Sequence, residues 1–524
     1  MARLPLVGGS YSPRSVIANC QRCINLYPEH NAVGPPVPVT HYQRPGLKPL
    51  FRGVNAVVRC LYQASNGKGY AVIDHTVYAI NPNWTLRSLG TITTAKTNPA
   101  SMTDNGVNIF IVDGSQNGWG IRMSDDTFYP LNDPTGLFKG ADRVDVIDTF
   151  IISNNVGIAP NNEVISTLSA TGKDGDGLPV SGGIKYNDQA GNASTMFGFK
   201  AAYPDPVQTL IVNNHQVIIF GTLKSEIWFN GGLPGFPFLM YQGAYIEHGA
   251  AKYSIACTDI SVFFLGQDLQ GDGVVWRVGG DNAYRCRRIS NHALEFQIRK
   301  MKNESQISDA IGYCYQQDGH FYYVLHFPAG DQTWVYDDTL GAQDPNIAWH
   351  QEGWTDPQTG ILHRHRANCH AFIYGKNVVG DFENGTIYEM SLDTYTDTVS
   401  GIVCPITFLR TFPHIGTGET DLGPFGKRPI PADGRRIQFT AFMLDLECGM
   451  ASGPATIALR YSDDRGRTYS SDVLQTGGQL GQYLTQPAWR GLGIARDRVF
   501  EVEYSFNGPA ALNGAWVEGV VLDS

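Results

Sequence analysis

NGVNIFIVDG, beginning at Asn105, sets two turn residues ahead of a run of β-branched and aromatic side chains and closes on Asp and Gly. The phrase recurs as NGKGYAVID from Asn66, DTFIISNN from Asp148, NHQVIIFG from Asn214, DISVFFLG from Asp259, DGHFYYVLHF from Asp318 and KNVVGDFENG from Lys376. Successive starts lie 39, 43, 66, 45, 59 and 58 residues apart. A period of roughly 40–45 residues is the mark of a β-propeller blade built from four short strands. The 66-residue interval holds a polar insertion and a 59-residue one holds a helix-like segment. The expectation is an all-β chain with a propeller of six or seven blades, the last copy completing a split blade.

Around these copies the chain divides into four parts. Residues 1–55 read as an extended arm, because Pro35, Pro36, Pro38, Pro45 and Pro49 preclude a helix. Residues 56–395 hold the propeller. Its first blade is read as VVRCLYQ, GYAVI, TVYAI and LRSLGTI, with hairpin turns such as Asn66-Gly67, where both central positions tolerate positive φ. Residues 396–434, with Pro405, Pro413, Pro424, Pro429 and Pro431, read as a linker. Residues 435–524 alternate apolar and polar side chains over RIQFTAFMLDLE, TIALRYS and RVFEVEYSF, the pattern of an antiparallel β-sandwich. In NHALEFQIRKMKNE, the spacing of Ala293, Phe296 and Lys300 predicts a short helix.

Composition narrows the function classes. The 524 residues carry 39 basic and 49 acidic side chains, a formal charge of −10. This argues against tight sequence-independent nucleic-acid binding, which normally shows as a surplus of Lys and Arg, but not against a passage through which DNA slides without sticking. The only apolar core near the start, Leu4 to Val7, is too short for a signal peptide, and no apolar run approaches the ~18–20 residues of a membrane helix. Nine cysteines without framework spacing suit synthesis in the cytoplasm.

The segment 157–195 is polar and Gly-rich, with Tyr186 its one aromatic. Its charges are Glu163, Asp174, Asp176 and Asp188 against Lys173 and Lys185. Such a stretch is expected to project from the propeller, as a gate loop or as a passive one.

Candidate sites are few. Cys20 and Cys23 form half a metal or redox motif without a second ligand pair, which favours packed side chains. His363, His365, Cys369 and His370 are the densest group of ligand-type residues, but no carboxylate lies near them in sequence, and a turn into the last blade is the better reading. The loops Gly172 to Gly177 and Gln267 to Val275 lack the terminal acidic ligand of a calcium loop. Gly416 to Gly423 lacks the Lys-Ser/Thr of a phosphate loop. The sharpest motif is Ser462-Asp463-Asp464-Arg465-Gly466-Arg467-Thr468-Tyr469, which resembles the Asp-box S-x-D-x-G-x-T-W with Tyr for Trp. In such a turn Asp464 accepts backbone N–H bonds, Gly466 supplies positive φ and Tyr469 packs back, so Ser462, Asp464, Gly466, Thr468 and Tyr469 form a structural turn. No catalytic, cofactor or metal residues are assigned.

Taken in order, INLYPE (Ile24 to Glu29), RPGL (Arg44 to Leu47), YPDPVQTLIVNNHQVIIFGTLKSEIWFNGG (Tyr203 to Gly232), ISNHALE (Ile289 to Glu295) and TWVYD (Thr333 to Asp337) resemble one family over nearly the whole chain. VVGDFENGTIYEM, IALRYSDDRGRTYS and WRGLGIARDRVFEVEYS complete the likeness. It is that of the tail hub or nozzle proteins of short-tailed bacteriophages, also called packaged-DNA stabilisation proteins. The resemblance implies a non-enzymatic virion protein forming a hexameric ring below the portal adaptor, extending the DNA channel, retaining packaged DNA and supporting tail fibres, spikes or a needle. It implies no cofactor and no membrane segment. Two other readings remain: a propeller glycosidase or sialidase, which would carry several Asp-boxes within its blades, and a soluble propeller interaction module.

Overall fold

A computed structural model describes the chain apart from residues 1, 5, 7, 17–18, 32–36, 54, 94–97, 132–137, 149, 158–162, 167–196, 204, 233–235, 269–270, 280–284, 417–418, 422–426, 430–434, 454 and 523–524. The protein is all-β, with antiparallel meanders arranged as a propeller and a C-terminal sandwich. Five four-stranded sheets are complete blades. The sheet of residues 249–288 and the meander of residues 311–355 add two more, making seven units in the ring. Every recurrence of the opening phrase forms the second strand of its unit: Gly69–Ile73, Asn108–Val112, Phe150–Asn154, Gln216–Gly221, Ser261–Asp268, His320–Phe327 and Lys376–Asp381.

The reason is visible in blade 2. Ile109 and Ile111 pack into the core shared with blade 1, while Phe110 and Val112 pack into the core shared with blade 3. A strand buried on both faces by neighbouring blades reads as an unbroken apolar run. Two-residue turns precede several of these strands. Asn214 and His215 lie at φ 49° and 55°, Asp318 and Gly319 at 51° and 81°, and Tyr374 and Gly375 at 50° and 78°, the mirror-image turns that match strand twist.

Closure of the ring uses the N-terminal region. Blade 7 takes strands Ala367–Ile373, Lys376–Asp381 and Ile387–Ser391 from the end of the repeat region and its outermost strand, Gly46–Phe51, from the arm. Its core with blade 1 joins Val58 and Ile73 to Ile373 and Val378. The split blade expected from the last copy is therefore present.

Residues 1–55 supply further strands outside the propeller. Ala2–Leu4 pairs with Leu512–Leu522, and Leu26–His30 and Val39–Gln43 extend the same sandwich sheet. Leu4, Leu6, Cys23 and Leu26 lie in the sandwich core with Phe442, Trp489 and Phe500. Of residues 396–434, Thr396–Val399 and Ile402–Pro405 form a hairpin, and Phe408–Thr411 is a sandwich strand paired with Asp497–Ser505.

One detail differs from the sequence reading and another adds to it. Glu163–Ser166, inside the expected insertion, is the third strand of blade 3; the expected gate and the Gly172 to Gly177 loop lie outside the described residues. The helix forms over His292–Glu304, capped by Asn291, but its buried face is Ala293, Leu294, Ile298 and Met301. Phe296 is half-buried and Lys300 exposed, because blades 5 and 6 clasp the neighbouring stripe of the helix.

Candidate functional site

The innermost strands of the seven units line a cavity of about 470 Å³. Several of its charged groups are partnered, although Arg143 Nε and Arg59 Nη2 find no hydrogen-bond acceptor among the described residues. Lys252 Nζ donates to Asp142 Oδ2 at 2.8 Å. Arg59 donates from Nε to the Asn98 carbonyl at 2.7 Å and from Nη1 to that of Asp74 at 3.1 Å. Asp145 accepts the amides of Val146 and Val212. Four thiols on these strands, Cys60, Cys257, Cys314 and Cys369, are all raised by burial, Cys60 to about 12 and Cys257 to about 11. They stay protonated at neutral pH and are poor nucleophiles. Burial pushes His370 down to about 4, with Asn377 and a Cys314 backbone bond opposing, so it is neutral.

The second site is the seam between propeller and sandwich. An eleven-stranded sheet runs from blade 6 into the sandwich, and Cys23–Ile24 of the arm is the strand that bridges them. Ile24 pairs in parallel with Gln351 of blade 6 and antiparallel with Leu409 of the sandwich. Asn25, wholly buried and at φ 59°, turns the chain there. Its side chain donates to the Thr407 carbonyl at 2.7 Å and accepts from Arg44 Nε at 2.9 Å and the Gly353 amide at 2.8 Å.

Arg44 makes a bidentate pair with Asp397, Nη1 to Oδ1 at 3.2 Å and Nη2 to Oδ2 at 2.5 Å, with both side chains buried. Burial disfavours the Arg44 charge, but Asp397 more than restores it. Arg410 is also fully buried, and donates to the Gly9 carbonyl at 2.9 Å and to Gln21 Oε1 at 2.7 Å. The arm thus supplies acceptors for both terminal nitrogens of Arg410.

The Asp-box-like turn sits against this seam. Asp464 Oδ1 accepts the Ser462 hydroxyl at 2.7 Å and the amides of Arg467 and Thr468 at 3.0 and 2.9 Å, and Oδ2 accepts the Thr468 hydroxyl at 2.6 Å. These bonds, led by Thr468, hold its carboxyl well below the usual range. Gly466 has φ 87°, and a Cβ there would lie 3.0 Å from Cys20 Sγ. Tyr469 packs beside Cys20 and Glu501 and is raised chiefly by burial. Arg465 and Arg498 extend the contact, pairing with Asp497 at 2.9 Å and Asp463 at 2.6 Å. His414 joins them: Nδ1 lies 3.0 Å from Asp497 Oδ1, and Nε2 lies 2.8 Å from the Val16 carbonyl and 3.5 Å from Cys20 Sγ. Burial opposes its charge, yet Asp497 and Cys20 push the imidazole up to about 10.

The other motifs disperse. Cys23 Sγ donates to the Leu26 carbonyl at 3.2 Å, whereas Cys20 Sγ meets His414. His363 Nδ1 meets Asp331, 32 positions earlier, at 2.7 Å, a pairing invisible from local spacing, while His365 is buried beside His326. Among the described residues no group of three or more His, Cys, Asp and Glu could hold a metal ion, and no helix is long and apolar enough to cross a membrane. Sequence reasoning missed Asn25, Arg44, Arg410 and Asp397. Asn25 and Arg44 lie in the quoted INLYPE and RPGL phrases, whose available signals were an Asn within an apolar run and an Arg before Pro.

The propeller and the C-terminal sandwich each match a family model, described as bacteriophage P22 Gp10, beta-propeller, over residues 2–395, and bacteriophage P22 Gp10, beta-sandwich, over residues 425–519. The chain belongs to the bacteriophage P22 Gp10 family. This is the family of tail nozzle or hub proteins of short-tailed phages, and the chain is a structural, virion-associated tail protein. No curated protein matches it. Among solved structures, the computationally designed Ika8 protein is 12% identical with TM-score 0.38, covering 66% of this chain and 99% of its own. The WD40 propeller of Doa1 is 11% identical with TM-score 0.36, covering 66% and 97%. The extracellular domain of BT4673 from B. thetaiotaomicron is 8% identical with TM-score 0.41; the match covers 84% of this chain and 48% of that one. Likeness at this level bears on neither substrate nor partner.

Proposed function

We propose that the protein forms the wall of a hexameric ring that prolongs the portal-adaptor DNA channel, retains the packaged genome and carries tail fibres, spikes or a needle. The observation that carries this reading is the eleven-stranded sheet shared by propeller and sandwich. A head-to-tail ring closes only when the angle between a subunit's two interfaces is held constant. A hinge between domains would spoil that angle, and the seam at Asn25, Arg44 and Asp397 replaces a hinge with paired backbone and a buried ion pair.

Two further points support it. The propeller's own axis, at about 470 Å³, has the size of a small-molecule pocket and cannot admit duplex DNA, whose major groove alone is about 12 Å wide. A DNA passage therefore requires a lumen between copies. The net charge of −10 suits a wall that repels phosphate and lets DNA leave. The protein has no hydrolytic role in this reading: the axial thiols are protonated, and the Asp-box-like turn spends its carboxylate on its own backbone.

Native mass spectrometry of the protein mixed with its adaptor ring tests the assembly. Six copies of the 57.4 kDa chain per complex are expected. A complex with one or two copies, or none at all, overturns the ring. Release of reducing sugar from host polysaccharide by the purified protein overturns the non-enzymatic part.

A further inference from the structure

Two exposed surfaces of this chain carry opposite charge. Residues 285–304 hold Arg285, Arg287, Arg288, Arg299, Lys300 and Lys302 against Glu295 and Glu304, a local +4 in a chain of net −10, which leaves −14 elsewhere. The helix His292–Glu304 presents Arg299, Lys300 and Lys302 to solvent, away from its buried Leu294, Ile298 and Met301. Lys302, in the last turn, complements the helix dipole, but Arg299 and Lys300 form no ion pair among the described residues.

The second surface lies where the arm crosses blade 6. Tyr27 and Tyr42 pair across the arm's hairpin with rings 5.9 Å apart, and Tyr27 packs on His320 and Tyr322. Tyr42 is raised by burial and then by Glu29, Glu447 and Asp318, and Tyr395 by burial and then by Asp393 and Glu447. The four carboxylates therefore form one patch around these rings, with Asp318, Asp393 and Glu447 exposed. Their one ion-pair partner among the described residues is His320, 3.8 Å from Glu29.

Within one copy the two surfaces are too far apart to neutralise each other. A Cβ at Gly330 would lie 2.7 Å from Met301 Sδ, so the helix ends beside the turn after Phe327, whereas Asp318 lies in the turn before His320. The strand His320–Phe327 separates them by about 25 Å at the usual rise per residue. That exceeds the roughly 8–10 Å over which exposed charges act at physiological salt.

We propose that the helix face bearing Arg299, Lys300 and Lys302 on one copy docks on the acidic, tyrosine-bearing patch of Glu29, Asp318, Asp393 and Glu447 on the next copy. This docking rests on the ring reading above and names the surfaces that close it. A head-to-tail interface joins two different patches of the same chain. Opposite charges fix its register and disfavour the self-facing pairing of a two-fold dimer, which would set like against like. Arginine over the tyrosine rings adds cation–π attraction. Duplex DNA would match only the helix face and leave the acidic patch unbalanced; a second copy matches both.

Native mass spectrometry with the adaptor ring tests this on two charge-reversed proteins: Arg299→Glu with Lys300→Glu, and Asp318→Lys with Asp393→Lys. All four side chains are exposed, so melting curves should match the parent's. Each variant alone should give at least about tenfold fewer six-copy complexes, since like charges then face each other. An equimolar mixture should restore them as rings with three copies of each, because each reversed patch fits the other variant's. Undiminished six-copy complexes from either variant alone, or no restoration in the mixture, overturn this interface and leave the ring reading standing. A parent without six copies overturns both. Should a reversal lower the melting temperature, Lys300→Gln and Asp393→Asn replace it, each with a severalfold loss of six-copy complexes expected; no loss overturns the interface. Loss of duplex-DNA binding or of adaptor attachment from variant rings that keep six copies overturns it in favour of DNA or adaptor docking.

Discussion

Within blades 1 to 4 each strand pairs with its neighbour in sequence, and adjacent blades meet across clusters of buried apolar side chains, as with Ile109 and Ile111 against blade 1. At the seam, residue 24 pairs with residue 351 on one side and residue 409 on the other, and the space between holds Arg44, Asn25, Asp397 and Arg410. Blades are joined by area, which is forgiving: any apolar side chain of suitable volume keeps them together. The seam is joined by groups that must each find a partner, which is selective. The propeller ring can thus tolerate drift in its blades while the angle between its two domains stays constant.

The largest effect should come from breaking the seam's ion pair. Asp397→Ala leaves a buried guanidinium without its carboxylate and removes an acceptor of the Leu47 amide at 3.1 Å. Losing one partner of a buried pair costs about 3–5 kcal/mol, and replacing both Arg44 and Asp397 by apolar residues should recover much of that. Urea unfolding measures both. A single variant as stable as the parent would remove the distinction between seam and blade.

His414 comes next, and its effect follows pH. Its imidazole is raised to about 10 in the fold against an unfolded value of about 6.5, so its stabilising contribution is complete below the lower value and fades as pH rises through the upper one. Unfolding free energy should therefore fall between those limits more steeply in the parent than in His414→Gln. Arg465 still pairs with Asp497 in the variant, which keeps the loss below that of Asp397→Ala. Parallel pH profiles for the two proteins would refute the assignment.

Ile109→Val is the blade counterpart. Removing one methylene from this fully buried side chain should cost about 0.5–1.5 kcal/mol, additive with Asp397→Ala because the sites share no partners. Strong coupling between the two would mean that blade and seam form one energetic unit.

The smallest and most local effect is expected at the exposed turn. Asp464→Ala frees the amides of Arg467 and Thr468, and their hydrogen exchange should quicken while urea unfolding of the whole chain stays within error. Unchanged exchange at those amides would show that the turn does not depend on its carboxylate.

Much of this was readable along the chain. The seven recurrences, the split last blade, the strands Gly69–Ile73 and Thr76–Ile80 and the Ser462 to Tyr469 turn all follow from side-chain pattern over a few residues. The helix was placed by its spacing, and the packing of blades 5 and 6 decided that Ala293, Leu294, Ile298 and Met301 would form its buried face. The Asp331–His363 and Cys20–His414 contacts were beyond reach, because the partners lie 32 and 394 positions apart.

What the sequence determined by itself was therefore the local unit: a strand buried on two faces must be apolar at every position, and a mirror-image turn needs residues that accept positive φ. Only the tertiary structure decided which strand each edge would meet. Backbone N–H and C=O groups are the same in every residue, so the pairing of Ile24 with Gln351, or of Gly46–Phe51 with Ile387–Ser391, leaves no mark of its own in composition or period. Those pairings were settled by where the arm could bury Leu4, Leu26 and Leu47 while giving Arg44 and Arg410 the oxygen partners that their burial demands.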